Sequence, residues 1–291
     1  MPHLALGFDL NGADAEAVEA ACFASGAVAV TFSDARDDAV LEPAPGEVRL
    51  WPATRVTALY AADTSSAAVL IDLAARLGVD AGRIDARCIV DRVWEREWLK
   101  DFHAMRFGRR LWICPRHETV TAPDAVVVRL DPGLAFGTGT HPSTALCLEW
   151  LDGAALAGRS FVDYGCGSGV LAIAAACLGA APVAAFDIDP QALRATRENA
   201  AANGVAAGVQ VCARAAQLPL PVDVLVANIL AGTLVELAAQ LAAAVRPGGD
   251  LLLAGILEIQ GATVTNAYRP WFDMNNFRTR DGWVALTGKR R

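Results

Sequence analysis

Asp163-Tyr164-Gly165-Cys166-Gly167-Ser168-Gly169 lies between an apolar segment, Arg159 to Val162, and a strongly apolar run, Val170 to Leu178. The order reads as strand, glycine turn, helix. Such a turn is expected to present backbone N–H groups without side-chain bulk, so that a small ligand can approach the main chain closely. The glycines fall at 165, 167 and 169, with Asp163 two residues ahead. That is G-x-G-x-G, not the G-x-G-x-x-G of dinucleotide sites. Ala184-Ala185-Phe186-Asp187 reads as the next strand, ending on Asp187. A carboxylate about 20 positions after the turn can accept hydrogen bonds from both ribose hydroxyls. The two motifs together predict a nucleoside-binding α/β unit. Nicotinamide enzymes share this logic, so the pair alone does not choose the ligand.

Working outward, strands and helices alternate from Arg159 on. Strands are predicted at Phe161 to Asp163, Val183 to Asp187, Val209 to Cys212, Val222 to Ala227 and Asp250 to Gly255. Helices are predicted at Val170 to Leu178, Pro190 to Asn203 and Ala231 to Val245. Val222 to Ala227 is almost wholly apolar, as a strand covered on both faces should be. The alternation predicts a doubly wound, mostly parallel sheet with helices on both sides. Trp271 to Phe277 and Gly282 to Leu286 read as antiparallel edge strands, the first weakened by Asn275 and Asn276.

Toward the N-terminus the pattern differs. Strands are predicted at Leu4 to Leu10, Ala27 to Ser33, Arg55 to Ala61 and Ile84 to Val90. Helices span Asp14 to Ser25, stopped by Gly26, and Ser65 to Leu77, stopped by Gly78, with a loop from Asp34 to Gly46. This β-α-β-β-α-β order is the ferredoxin-like arrangement. Trp94, Trp98 and Phe102 then recur about once per turn, predicting a packed helix. Leu111 to Cys114 and Ala125 to Leu130 read as a short strand pair. The division is therefore a smaller α+β domain over 1–92, an interdomain helix and linker over 93–120, and the α/β domain over 121–291.

The chain has 291 residues, of which 54% are hydrophobic, and a formal net charge of −7. A core of that size needs neither disulfides nor metal. No uninterrupted apolar run reaches about 18 residues, so no membrane span is expected. Met1 to Leu10 lacks a basic start and is broken by Asp9, unlike a signal peptide. The seven cysteines are scattered and never form C-x-x-C. They fit reduced cytoplasmic thiols and predict no metal site. The acidic balance argues against a long nucleic-acid footprint and is compatible with a basic protein as substrate.

Ligands of open parallel sheets bind at the carboxyl ends of the strands. Gly165 and Asp187 fall there, and so does Asn228, in Val226-Ala227-Asn228-Ile229-Leu230. The Asn228 amide could accept a hydrogen bond from an attacking amine, or it could cap the helix that follows. Position alone does not separate the two. Ahead of the sheet, Leu130 to Thr144 is rich in glycine, proline and threonine. A loop this long usually binds something. It reads as a cover over the ligand, with Phe136 as an apolar plug and Thr144 near the donor, opening a helix from Ala145 to Leu151. His141 reads as a turn residue beside Pro142, with a catalytic base as the rival role.

Together, Leu130 to Thr144, Asp163 to Gly169, Phe186 to Pro190 and Asn228-Ile229-Leu230-Ala231-Gly232 resemble the ribosomal protein L-eleven methyltransferase family. Asp163 ahead of the glycines is similar to the first motif of class I methyltransferases. Trp94-Glu95-Arg96-Glu97-Trp98 and Arg106 to Pro115 resemble the family's interdomain region. The resemblance implies a class I methyltransferase fold preceded by a domain that recognises the ribosomal protein. It implies methylation of lysine side chains and of the N-terminal amine, with S-adenosylmethionine as cofactor. It implies that Thr144, Gly165, Asp187 and Asn228 contact that cofactor. A cytoplasmic monomer acting on protein rather than nucleic acid is expected. Two rivals remain at this point: a release-factor-type glutamine methyltransferase, and a nicotinamide-binding oxidoreductase or non-catalytic binding module on the same fold. The first is known for Asn-Pro-Pro-Tyr after the fourth strand, where this chain has Asn228-Ile229-Leu230-Ala231.

Overall fold

The computed structural model describes residues 3–36, 50–61, 65–89, 102–131 and 139–291. They divide into two compact units, Met1–Val93 and Trp94–Arg291. In the first, strands β1 (His3–Asp9), β2 (Ala29–Asp34), β3 (Thr54–Tyr60) and β4 (Asp85–Ile89) form one sheet in the order β2-β3-β1-β4. Every neighbouring pair is antiparallel. Helices α1 (Ala15–Ala24) and α2 (Ser66–Leu77) complete the ferredoxin-like order. Asp14 caps α1 by accepting from Glu16 N, and Gly78 ends α2 in the left-handed region at φ 65°. The core of this unit gathers Leu6, Phe8, Val56, Ala58 and Tyr60 from the sheet with Val18, Cys22 and Leu73 from the helices.

The second unit opens with three short strands, β5 (Met105–Phe107), β6 (Leu111–Cys114) and β7 (Val126–Arg129). The expected pair β6 and β7 is parallel, and β5 adds an unforeseen antiparallel neighbour. Part of the segment read as interdomain linker thus forms sheet within this unit. The larger sheet holds β8 (Phe161–Tyr164), β9 (Val183–Phe186), β10 (Val209–Cys212), β11 (Val222–Asn228), β12 (Val245–Leu257), β13 (Phe272–Arg280) and β14 (Trp283–Arg290). Their order is β10-β9-β8-β11-β12-β14-β13. The first five run parallel, and the β13–β14 hairpin closes the edge antiparallel. Successive connections leave β8 in one direction and reach β11 on its other side. The switch point therefore lies between β8 and β11, and its crevice opens at their carboxyl ends.

Side chains alternate between two cores, as strands covered on both faces require. Val224 and Val226 join one core, and Leu225 and Ala227 join the other. Helices α3 (Pro142–Gly153), α4 (Val170–Cys177) and α5 (Pro190–Ala202) contribute to the first, and α6 (Ala231–Glu236), α7 (Ala238–Ala244) and α8 (Gly261–Tyr268) to the second. Three expectations need correction. The helix from Ala231 to Val245 is broken at Leu237 into α6 and α7. Helix α3 begins at Pro142, with His141 as its cap, two residues before the expected Thr144. Helix α8 was not foreseen. Asn275 and Asn276 do lie in a strand, and the register slips between Asn276 and Arg278. The predicted helix around Trp94 and Trp98 and the plug Phe136 lie outside the described residues.

Candidate active site

The glycine turn leaves β8 at the switch point. Gly165, Gly167 and Gly169 all have positive φ, at 82°, 53° and 78°, where L side chains are strained. Space is equally restrictive. A Cβ on Gly165 would run into the Ile229 side chain, and one on Gly169 would lie 2.7 Å from Thr196 Cγ2. The amides of the turn are already bonded within the protein, contrary to the expectation that they face a ligand. Gly165 N and Cys166 N both donate to Phe186 O, at 2.8 and 2.9 Å. Gly167 N donates to Asp187 Oδ2 at 2.9 Å. What the turn offers is a bare main-chain surface at Gly165 and Gly167, both only half-buried.

Two carboxylates support that surface from below and beside. Asp163 is fully buried, and its Oδ2 accepts from Ala172 N at 3.1 Å. Among the described residues its Oδ1 has no hydrogen-bond partner. Burial, opposed by the Ala172 amide and reinforced by the charge of Asp187, pushes this carboxyl up to about 7. Asp187 follows β9 directly and is half-buried. Its Oδ1 accepts from Asp189 N at 3.0 Å while Oδ2 holds Gly167. Each carboxylate oxygen can still accept a further bond. Next to it, Ile188 is 86% exposed, an apolar side chain just past the carboxyl end of β9.

Helix α5 clamps the turn from behind, through residues the sequence did not single out. Thr196 Oγ1 donates to Gly167 O at 3.1 Å, and Asn199 Nδ2 donates to Ser168 O at 2.9 Å. The thiol of Cys166 lies 3.3 Å from Thr196 Oγ1, and burial raises its pKa far above the range of a reactive thiolate.

Across the switch point, Asn228 ends β11. It is not the helix cap, since that position belongs to Leu230. Instead its Nδ2 donates to Thr144 Oγ1 at 3.3 Å, joining residues 84 apart in sequence. The structure thus brings Thr144 and Asn228 together, and the Gly165–Ile229 packing sets the glycine turn beside them. His141 accepts from Ser143 N at 3.3 Å through Nδ1, and burial lowers its pKa. An imidazole used in this way caps the start of α3. Among the described residues no group of His, Cys, Asp and Glu could hold a metal ion, and no helix is long and apolar enough to cross a membrane.

The chemistry of the pocket follows from this arrangement. A pyrophosphate needs unspent amides and positive potential. Here the amides are spent and two carboxylates flank the turn. Asp163, fully buried beneath the turn, is pushed toward its neutral form, which leaves half-buried Asp187 as the acceptor beside the turn. The residues fit a nucleoside that carries cationic groups better than a dinucleotide.

Residues 2–291 match the family model described as Ribosomal protein L11 methyltransferase (PrmA). The chain belongs to this family. The L11 methyltransferase of Pseudomonas aeruginosa (strain LESB58) is 51% identical over 292 residues, covering 100% of this chain and 99% of that protein. That of Serratia proteamaculans (strain 568) is 50% identical over 293 residues, covering 100% of both. A solved ribosomal protein L11 methylase from Lactobacillus delbrueckii subsp. bulgaricus aligns with a TM-score of 0.60 at 33% identity, covering 65% of this chain and 100% of that one. Membership in the L11 methyltransferase family removes the oxidoreductase and release-factor alternatives. It agrees with the spent amides and flanking carboxylates, which suit the cofactor of methyl transfer.

Proposed function

We propose that this chain transfers methyl groups from S-adenosylmethionine to ribosomal protein L11, at lysine side chains and at the N-terminal amine. The observation that carries the reading is the switch-point crevice, where Asp163, Asp187 and the bare glycine turn meet the Thr144–Asn228 pair. Bound there, S-adenosylmethionine supplies an electrophilic methyl group on a positively charged sulfur. The residues divide the remaining work. Asp187 accepts from the ribose hydroxyls with the lone pairs its backbone partners leave, and Ile188 offers apolar surface to the base. Gly165 leaves room for the chain of the cofactor. Asn228, its Nδ2 held by Thr144, turns Oδ1 toward the incoming amine.

A free lysine has a pKa near 10.4 and must shed its proton before it attacks. Desolvation and an adjacent positive charge both favour the neutral amine. No strong base is required, and positioning alone can contribute about 7–11 kcal/mol. His141 is committed as a helix cap, in keeping with this. The N-terminal unit recognises the substrate. Residues 1–93 contain fourteen Asp and Glu against seven Arg and no Lys, a fitting charge balance for binding a ribosomal protein that must itself neutralise RNA. The reading includes a cytoplasmic monomer that acts on the protein rather than on nucleic acid.

The test is mass spectrometry of recombinant L11 after incubation with the enzyme and S-adenosylmethionine. Methyl increments on lysine side chains and the N-terminal amine are expected, and turnover should rise with pH without a falling limb. Unmodified L11, or methyl groups confined to glutamine, would overturn the reading. S-adenosylhomocysteine, unlike NAD, should raise the melting temperature.

A further inference from the structure

One side chain ties the first turn of α3 to its surroundings. His141 is extended, with φ −70° and ψ 135°, ahead of Pro142 at the first helical position. Proline disfavours the helical region for the residue before it and lacks an N–H of its own. The next amide still needs an acceptor. His141 Nδ1 supplies one, at 3.3 Å from Ser143 N, and lies 2.8 Å from Ser143 Oγ. Its carbonyl accepts the Ala145 N–H at 3.0 Å. The ring also meets Trp283 of β14 edge-on, with centroids 4.6 Å apart at 72°. The imidazole is thus held by a neighbouring strand while it holds the start of the helix.

Thr144 stands three residues on, 3% exposed, and its Oγ1 accepts from Asn228 Nδ2. An amide whose nitrogen is committed to one neighbour has its orientation set, and its oxygen is left as the acceptor. We propose that His141 is a positioning residue of the methyl-transfer site: its ring caps α3, the cap places Thr144, and Thr144 orients the Asn228 amide. The inference rests on the assignment of Thr144 and Asn228 to that site. It gives His141 a part in turnover without proton transfer, since its Nδ1 is the cap acceptor.

The test compares His141→Ala, His141→Asn, Asn228→Ala and the double variant His141→Ala/Asn228→Ala in the full chain. The readouts are kcat, KM for L11 and Kd for S-adenosylhomocysteine, taken well below each melting temperature. Asparagine caps helices and does not act as a base in this pH range. His141→Ala should lower kcat about tenfold, with KM for L11 nearly unchanged. His141→Asn should recover most of that loss. In the Asn228→Ala background, His141→Ala should cost nothing further, as expected of two residues acting through one another. Equal inactivity of His141→Asn and His141→Ala would make the imidazole itself necessary and overturn the proposal. Losses that multiply in the double variant, or a lower melting temperature with kcat intact, would overturn it too. Full turnover in Asn228→Ala with His141 intact would instead strike the site assignment beneath it, and the two failures are thereby told apart.

Discussion

The two units spend negative charge differently. Residues 1–93 carry fourteen acidic side chains and seven arginines, whereas residues 94–291 carry eighteen acidic and eighteen basic side chains. The whole net charge of −7 therefore belongs to the first unit. In the second, most notable carboxylates are answered by arginine. Glu149 pairs with Arg278 and Arg280, and Asp223 pairs with Arg159 and Arg246. Asp163 and Asp187 are exceptions, and both lie at the glycine turn. Surface charge acts over a Debye length of about 8–10 Å and yields to salt. Buried charge is poorly screened and must be answered by a group in contact. The first unit is suited to gathering a partner, and the second to fixing a ligand.

If this contrast holds, the largest effect should come from the most buried carboxylate. Asp163 keeps its proton to about pH 7 in the folded chain, against about 3.9 when unfolded. Between these values the native state binds more protons than the unfolded state, so stability falls as pH rises through the window and levels off above it. The loss is bounded at about 4 kcal/mol. Asp163→Asn cannot ionise. Melting temperatures without ligand, measured from acid to mildly alkaline pH, should decline less in Asp163→Asn than in the wild type. Parallel curves would mean that Asp163 is ionised throughout, with a partner for Oδ1 that the fold does not show.

Asp187 comes next. Asp187→Ala removes the acceptor for Gly167 N and Asp189 N together with the proposed ribose contacts. Charged hydrogen bonds contribute about 1.5–3 kcal/mol each, so the loss should reach about 3 kcal/mol, roughly a hundredfold in Kd. Calorimetry with S-adenosylhomocysteine measures it. Glu16→Ala, exposed on α1 of the first unit, should leave that Kd where it was. Equal weakening by both variants would erase the division between the units.

Some features of the fold and of the site were legible in the sequence, and others were not. The parallel sheet could be read because its strands are short apolar runs whose alternate residues feed two cores, as Val224 and Leu225 do. Gly165 and Asp187 could be read because turn geometry and a strand end demand those residue types. The meeting of Thr144 with Asn228 was implied only through family resemblance, since it spans 84 positions and depends on how α3 lies against β11. Thr196 and Asn199 were hidden by helical periodicity, where a buried threonine passes for core. Pro142 did carry a signal for the start of α3, because proline favours the first helical position. The break at Leu237 left no mark, since neither Thr233 to Glu236 before it nor Ala238 to Ala244 after it contains a glycine or a proline.

Salt should separate the two units kinetically, by a smaller change than either substitution above. If the surplus charge of the first unit gathers L11, added salt should raise KM for L11 several-fold between dilute and physiological ionic strength. On the proposed reading the methyl-transfer step takes place among half-buried groups of the second unit, so kcat should move less than KM. Glu16→Lys on α1 and Asp80→Lys before β4, both exposed, should raise KM in low salt and lose that effect as salt is added. Steady-state kinetics with L11 over a salt series decide the matter. A kcat that falls with salt while KM holds would place the electrostatic demand at the methyl-transfer step, and the acidity of residues 1–93 would then need another partner.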